Sequence, residues 1–271
     1  RVYRKNEDII DIINNILEGN LSEEAFYIVD IGKIIKQVQK WNDALPRVKP
    51  YYAVKCNPNP LILKILASLD VNFDCASKKE MCIRDSYKIK LYHPYSELVL
   101  RIKVDDSESL CKFGCKFGVE LDDVKRLLEI AKTLSLNVVG VSFHVGSGCK
   151  NPEQFRSAIA DSKKCFETAS ELGFKFRILD IGGGFEDETF EECARIINES
   201  LPSEEEIKVI AEPGRFFVSS SHTLVVNVIG KKDSVDGSTG EKTFVYYLND
   251  GMYGSFNCVH FDHAKPIVLS L

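Results

Sequence analysis

The ten residues Val48–Asn57, VKPYYAVKCN, decide how the rest of the chain is read. They form an apolar run that is short enough for a strand and too short for a helix. The run ends on a lysine followed by polar residues and prolines. A strand apolar on both faces belongs inside a parallel sheet, and the carboxyl ends of such strands are where parallel α/β folds place their chemistry. A lysine there is either a solvated stem reaching for water or an amine held ready for a reaction.

Other segments repeat the pattern. FYIV, FDCAS, ELVLRI, NVVGVSFHVGSG, RILDIGGG and IKVIAEPG read as strands. Between them lie helical patterns such as IGKIIKQVQKWNDAL, PLILKILASLD and DDVKRLLEIAKTLSL. The segment from Asn151 to Gly173 carries a full set of helix signals: Asn151 as cap, Pro152 in the first turn and Gly173 as the stop. Alternating β and α elements predict a parallel sheet. After about Val218 the pattern changes to strand, polar loop, strand, which predicts antiparallel β structure. The expected division is an N-terminal segment over 1–25, an α/β barrel over 26–218 and the start of a β-rich domain over 219–271.

Bulk properties restrict the function classes. The chain has 271 residues, 44% hydrophobic and 28% charged, as in a globular protein. A net charge of -5 gives no support for nucleic-acid binding. No apolar run reaches the length of a membrane span, and RVYRKNEDIIDI has no signal-peptide core. Nine cysteines without zinc-site spacing predict free thiols in a reducing cytosol and no metal. The chain opens on Arg1 rather than Met and is expected to belong to a longer parent.

Nearly every strand ends in a chemically useful residue: Lys55, Asp74, Arg101, His144 with Ser147, Gly182 to Gly184, and Glu212 with Arg215. Each alone has a plainer reading, such as a core histidine, a tight turn or an ion-paired strand end. Together they supply an amine, an imidazole, a glycine turn, a guanidinium and a carboxylate. That set is what pyridoxal phosphate requires. Its aldehyde needs a lysine. Its phosphate needs unobstructed backbone N–H groups and a cation. Its ring nitrogen needs a carboxylate to keep it protonated, and its flat ring can stack on an imidazole. Asp74 could orient or pair with the Lys55 amine.

PYYAVKCN, FDCAS, VLRI, GVSFHVGSGC, LDIGGGF, IAEPGRFF, YYLNDGMYGSFNC and FDHA, in that order, resemble the eukaryotic-type ornithine decarboxylases. The resemblance runs from about Phe26 to Ala264. It implies a TIM-type (β/α)8 barrel that binds pyridoxal 5'-phosphate, a second β-rich domain, and a cytoplasmic homodimer with shared sites. The implied reaction is decarboxylation of L-ornithine to putrescine. Lys55 would attach the cofactor, and Asp74 and Arg101 would line its site. His144 would stack on its ring, and Glu212 would pair with the ring nitrogen. Ser147, Gly183, Gly184 and Arg215 would hold the phosphate, with Tyr253 near it. Asp262 would bind the distal amine of ornithine. Antizyme is an implied partner. The resemblance leaves other readings: an antizyme-inhibitor-like binding protein, a lysine, arginine or diaminopimelate decarboxylase, or a small one-domain cofactor-binding protein.

The chain departs from the family twice. Only 18 residues, Glu80–Glu97, separate FDCASKK from LVLRI, where the family has two further βα units. A βαβ unit alone takes about 30 residues, so the third and fourth units are expected to be missing. MCIRDS at this junction resembles translated sequencing adaptor, and an assembly artefact is the expected cause. Further on, no CDG motif follows HAKPIVLSL, so the second domain is expected to be truncated. The polypeptide alone is expected to fold poorly, bind the cofactor weakly and show no turnover.

Overall fold

The computed structural model describes residues 7–19, 24–75, 91, 95–203, 206–235 and 237–270. Most of the 80–97 junction lies outside them. The chain divides into two compact units, one of Lys33–Ser220 and one of Arg1–Gly32 with Ser221–Leu271.

The larger unit is built on a parallel sheet. In chain order its strands are β2 (Val48–Ala53), β3 (Asn72–Asp74), β4 (Glu97–Arg101), β6 (Asn137–Ser142), β8 (Ile178–Asp180) and β9 (Lys208–Ala211). In space the order is β3-β2-β9-β8-β6-β4. The registers are parallel throughout, for example Tyr52 with Phe73, Val48 with Val209, and Val141 with Leu179. This is the arc of a barrel with its first two and last four strands present. Among the described residues β3 and β4 have no outer neighbour, as the short junction requires.

Helices α2 (Ile31–Ala44), α3 (Pro60–Ser68), α4 (Leu121–Thr133), α5 (Glu153–Glu171) and α6 (Phe190–Ser200) alternate with the strands. Their ends follow local chemistry. Asn59 accepts from Leu61 N and Pro60 opens α3. Asn151 accepts from Glu153 N at 3.1 Å, and Gly173, at φ 85°, closes α5. A cluster of rings packs α2 against α6 and the strand ends. Trp41 is fully buried, with Phe185, Phe190, Phe216 and Phe217 centred 4.8–5.8 Å away. Its indole N–H donates to Val48 O at 2.9 Å. The large apolar area of these rings anchors α2 while the one polar atom is satisfied.

Two details differ from the sequence reading. Ser109–Cys111 (β5) and Ser147–Cys149 (β7) form a short antiparallel ribbon at the strand ends, although NVVGVSFHVGSG reads as one strand running into a Gly/Ser turn. Arg215–Val218 forms a one-turn helix, α7, after β9.

In the smaller unit, α1 (Ile9–Glu18) begins at Asp8, whose carboxylate accepts from Ile10 N at 2.7 Å. Strand β1 (Phe26–Val29), placed with the barrel from sequence, pairs antiparallel with β10 (His222–Val225). Strands β11 (Val228–Val235) and β12 (Lys242–Leu248) form the expected antiparallel hairpin. A short helix, α8 (Asn257–Phe261), follows.

Candidate active site

The larger unit gathers its polar residues at the carboxyl ends of the parallel strands. Lys55 sits in a single 3-10 turn, Val54–Cys56, directly after β2. The turn is held from both sides. Ala53 N donates to Pro213 O at 3.1 Å, and the hydroxyl of the fully buried Tyr52 donates to Asn57 O at 3.1 Å. Asp74 ends β3 and Arg101 ends β4. His144 follows β6 by two residues, Gly182–Gly184 follow β8, and Glu212 follows β9.

These side chains share one electrostatic neighbourhood. Burial raises the Asp74 carboxyl above its usual range, and the nearby Lys55 amine pulls it down. His144 is pushed down to about 3 by burial, then by the Arg101 and Lys55 charges. Its Nδ1 accepts from Gly146 N at 3.0 Å, so the neutral ring carries its proton on Nε2. Glu212 is raised, mainly by burial and Asp74, and drawn back by Asp180, Arg101 and Lys55. Two cations, one neutral imidazole and several carboxylates therefore face each other.

A second group lies alongside. The Arg215 guanidinium donates to Ser147 Oγ at 3.3 Å and lies 3.7 Å from Glu186. The glycine turn has a reason of its own. A Cβ on Gly182 would sit 2.3 Å from Phe143 O, and one on Gly184 2.3 Å from Gly146 O. On Gly183 it would meet Glu212 O at 2.7 Å and His144 Nε2 at 3.0 Å. Gly182 and Gly184 also have positive φ, 64° and 101°. Three strand ends converge here, and only glycine lets their backbones approach. The expectation that glycine serves to clear N–H groups for phosphate is thus incomplete.

The donor set fits pyridoxal phosphate. Lys55 offers an amine of the kind its aldehyde requires, Glu212 a carboxylate of the kind its ring nitrogen requires, and His144 a neutral planar ring. Ser147 and Arg215 form a hydroxyl–guanidinium pair suited to its phosphate.

The family comparison agrees with the geometry. The model for the pyridoxal binding domain of pyridoxal-dependent decarboxylases matches residues 31–84 and 82–219. The chain belongs to the pyridoxal-dependent decarboxylases. It is 45% identical over 285 residues to the ornithine decarboxylase of Schizosaccharomyces pombe, covering 90% of itself and 65% of that relative. With the ornithine decarboxylase of Mus musculus it shares 42% over 315 residues, 95% of itself and 68% of that protein. It is also similar to antizyme inhibitor 2 of Xenopus laevis, at 41% over 314 residues, 96% of itself and 69% of that protein. Among solved structures, the arginine decarboxylase of Paramecium bursaria Chlorella virus superposes with a TM-score of 0.87 at 33% identity, over 94% of this chain and 80% of the viral one. Each aligned length with the curated relatives exceeds the 271 residues of the chain. The relatives therefore carry internal residues without a counterpart here, and the family match itself breaks at 82–84.

Nine of the residues singled out from sequence belong to the larger unit: Lys55, Asp74, Arg101, His144, Ser147, Gly183, Gly184, Glu212 and Arg215. Tyr253 and Asp262 belong to the smaller unit, both exposed, Tyr253 fully so. The structure adds residues that sequence reasoning passed over. Phe113 packs edge-on to His144 with centroids 5.0 Å apart, and the Arg101 guanidinium lies 5.1 Å from the Phe117 ring. Both rings come from KFGCKFG, which reads as an ordinary loop. Asp180, inside LDIGGG, lies beside Glu212. Its only signal in sequence is a charged residue ending an apolar strand.

Proposed function

We propose that this chain is the cofactor-binding part of an ornithine decarboxylase acting on free L-ornithine to give putrescine. The observation that carries the reading is the convergence of Lys55, Asp74, Arg101, His144 and Glu212 at the carboxyl ends of five parallel strands, with Ser147 and Arg215 paired beside them. Because the chain spans 65% of the yeast relative, the activity belongs to the whole protein.

When bound, pyridoxal phosphate supplies an electron sink at the amino-acid Cα, which lets the carboxylate leave as carbon dioxide. The protein does the rest. Lys55 Nζ would hold the cofactor through its aldehyde, with Asp74 beside it to orient an amine. Glu212 would keep a proton on the ring nitrogen, and Arg101 favours the anionic form of Glu212. His144, neutral at physiological pH, would be the planar neighbour of the ring. Arg215, Ser147, Gly183 and Gly184 bind the phosphate, with Tyr253 assigned there from its motif. Asp262 supplies the anion for the distal ammonium of a diamino acid, a specificity element that a mono-amino acid would leave unmatched. The assembly is a homodimer, the compartment the cytosol, and antizyme a regulatory partner. Among the described residues no helix is long and apolar enough to cross a membrane.

Similarity to antizyme inhibitor 2 gives a second reading, a non-catalytic binding protein. Overall identity does not separate the two. The intact set of amine, guanidinium, imidazole and carboxylate favours catalysis, since a protein that only sequesters a partner needs none of them.

The test is release of labelled carbon dioxide from carboxyl-labelled ornithine, lysine and arginine by the chain completed to the length of its relatives. Ornithine is expected to react at least tenfold faster than the others. A preference for lysine or arginine would overturn the substrate reading, and no release from any would favour the binding-protein reading.

A further inference from the structure

We propose that Asp180 is a neutral, proton-carrying partner of Glu212. Its carboxyl O–H donates to the Glu212 carboxylate and holds that group anionic, while its other oxygen pins the glycine turn. The role toward the cofactor rests on the reading above; the placement of the proton does not.

Asp180 is the last residue of β8 and only 7% exposed. Its Oδ1 accepts from Gly182 N at 2.9 Å. Its carboxyl group also lies within hydrogen-bonding reach of the Glu212 carboxyl group. Backbone bonds fix the two strand ends against each other: Glu212 N donates to Gly182 O at 2.7 Å and Ile181 N to Ile210 O at 2.9 Å. Two carboxyl groups held in hydrogen-bond contact must share a proton, because two anions there would repel and neither could donate.

The surroundings decide which group carries it. The charged groups facing Glu212 are Asp74, Asp180, Arg101 and Lys55, two of them cations. Those facing Asp180 are Glu212 and Asp74, both acidic. Two cations stabilise an anion on Glu212, whereas only the Gly182 N–H favours one on Asp180, which burial and the Glu212 charge raise well above the usual carboxylate value. The proton therefore sits on Asp180, whose acid group serves as donor and acceptor at once. Asp180 is a positioning residue: it acts on the cofactor through Glu212 and through the turn at Gly182.

An asparagine can reproduce both bonds, its N–H to Glu212 and its carbonyl to Gly182 N–H, whereas alanine makes neither. Three measurements on the full chain separate the cases. Infrared spectra of the cofactor-free protein at pH 7 should show the C=O stretch of a protonated carboxyl group, absent in Asp180→Asn. Stability by urea unfolding should fall as pH rises above about 4, because the unfolded Asp180 ionises there while the folded one stays neutral; Asp180→Asn should lose that slope. In titrations with pyridoxal phosphate, Asp180→Asn should bind within about threefold of wild type and Asp180→Ala at least tenfold more weakly. The proposal is overturned if the band is missing in wild type, if it persists in Asp180→Asn, or if both variants weaken binding equally. Should Asp180→Ala not fold, the spectrum and pH slope of Asp180→Asn still decide. Failure of the wild-type chain to bind the cofactor would count against the proposed function and not against the proton on Asp180.

Discussion

At the scale of single residues, the site is organised by who is allowed to carry charge. His144 is the clearest instance. Its depressed pKa, about 3, means that the folded chain refuses a proton that the unfolded chain accepts below about 6.5. Its contribution to stability is whole above pH 6.5 and is lost as pH falls toward 3. His144→Asn should therefore lose less stability than wild type between pH 7 and pH 5. The expected difference in denaturant unfolding is up to about 2 kcal/mol, and equal losses would contradict the assignment. Arg215 offers a second prediction. Its planar guanidinium can bind a phosphate in a way that a lysine ammonium cannot. Arg215→Lys is expected to weaken pyridoxal phosphate binding about tenfold and Arg215→Ala further, read from the fluorescence of the bound cofactor. Full retention in the lysine variant would mean that only charge matters.

At the scale of elements, the site depends on how closely strand ends approach. Gly182 has a positive φ, and a Cβ there would collide with the backbone of Phe143. Gly173, at the end of α5, also has a positive φ but faces open space. Gly182→Ala should thus cost more than the roughly 1 kcal/mol expected from φ strain alone at Gly173→Ala, by about 1–3 kcal/mol for the overpacking. Equal urea midpoints for the two variants would refute the close-approach explanation. The same comparison shows what the sequence could and could not reveal. The caps of α5, the parallel strands and the β11–β12 hairpin were legible because Asn, Pro and Gly mark ends and apolar runs mark burial. The β5–β7 ribbon was not, since Ser-Gly-Cys carries no strand pattern and forms only because Ser109–Cys111 lies opposite. Phe113, Phe117 and Asp180 were missed for a related reason: their partners are distant in sequence, and the chemistry of each arises only from the neighbour.

At the scale of the whole molecule, the described sheet has the strands of a barrel on either side of a gap. A closed barrel has no edges, whereas here β3 and β4 lack outer neighbours among the described residues. Exposed edges cost stability and invite association with other chains. Inserting the corresponding internal residues of the yeast relative between Lys79 and Leu98 should raise the melting temperature by at least about 5 °C and reduce aggregation. An unchanged melting temperature would show that the short junction already completes the fold. The identity of the family was legible from long motifs in order, and those motifs survive because none of them lies in the junction.

The account stands on Lys55 and Glu212 holding one cofactor between them. The direct measurement is borohydride reduction of the chain with saturating pyridoxal phosphate, followed by peptide mapping. The account predicts a pyridoxyl phosphate group on Lys55 alone, lost in Lys55→Ala and reduced at least tenfold at low cofactor concentration in Glu212→Ala. A label on another lysine, or one that does not depend on Glu212, would contradict it.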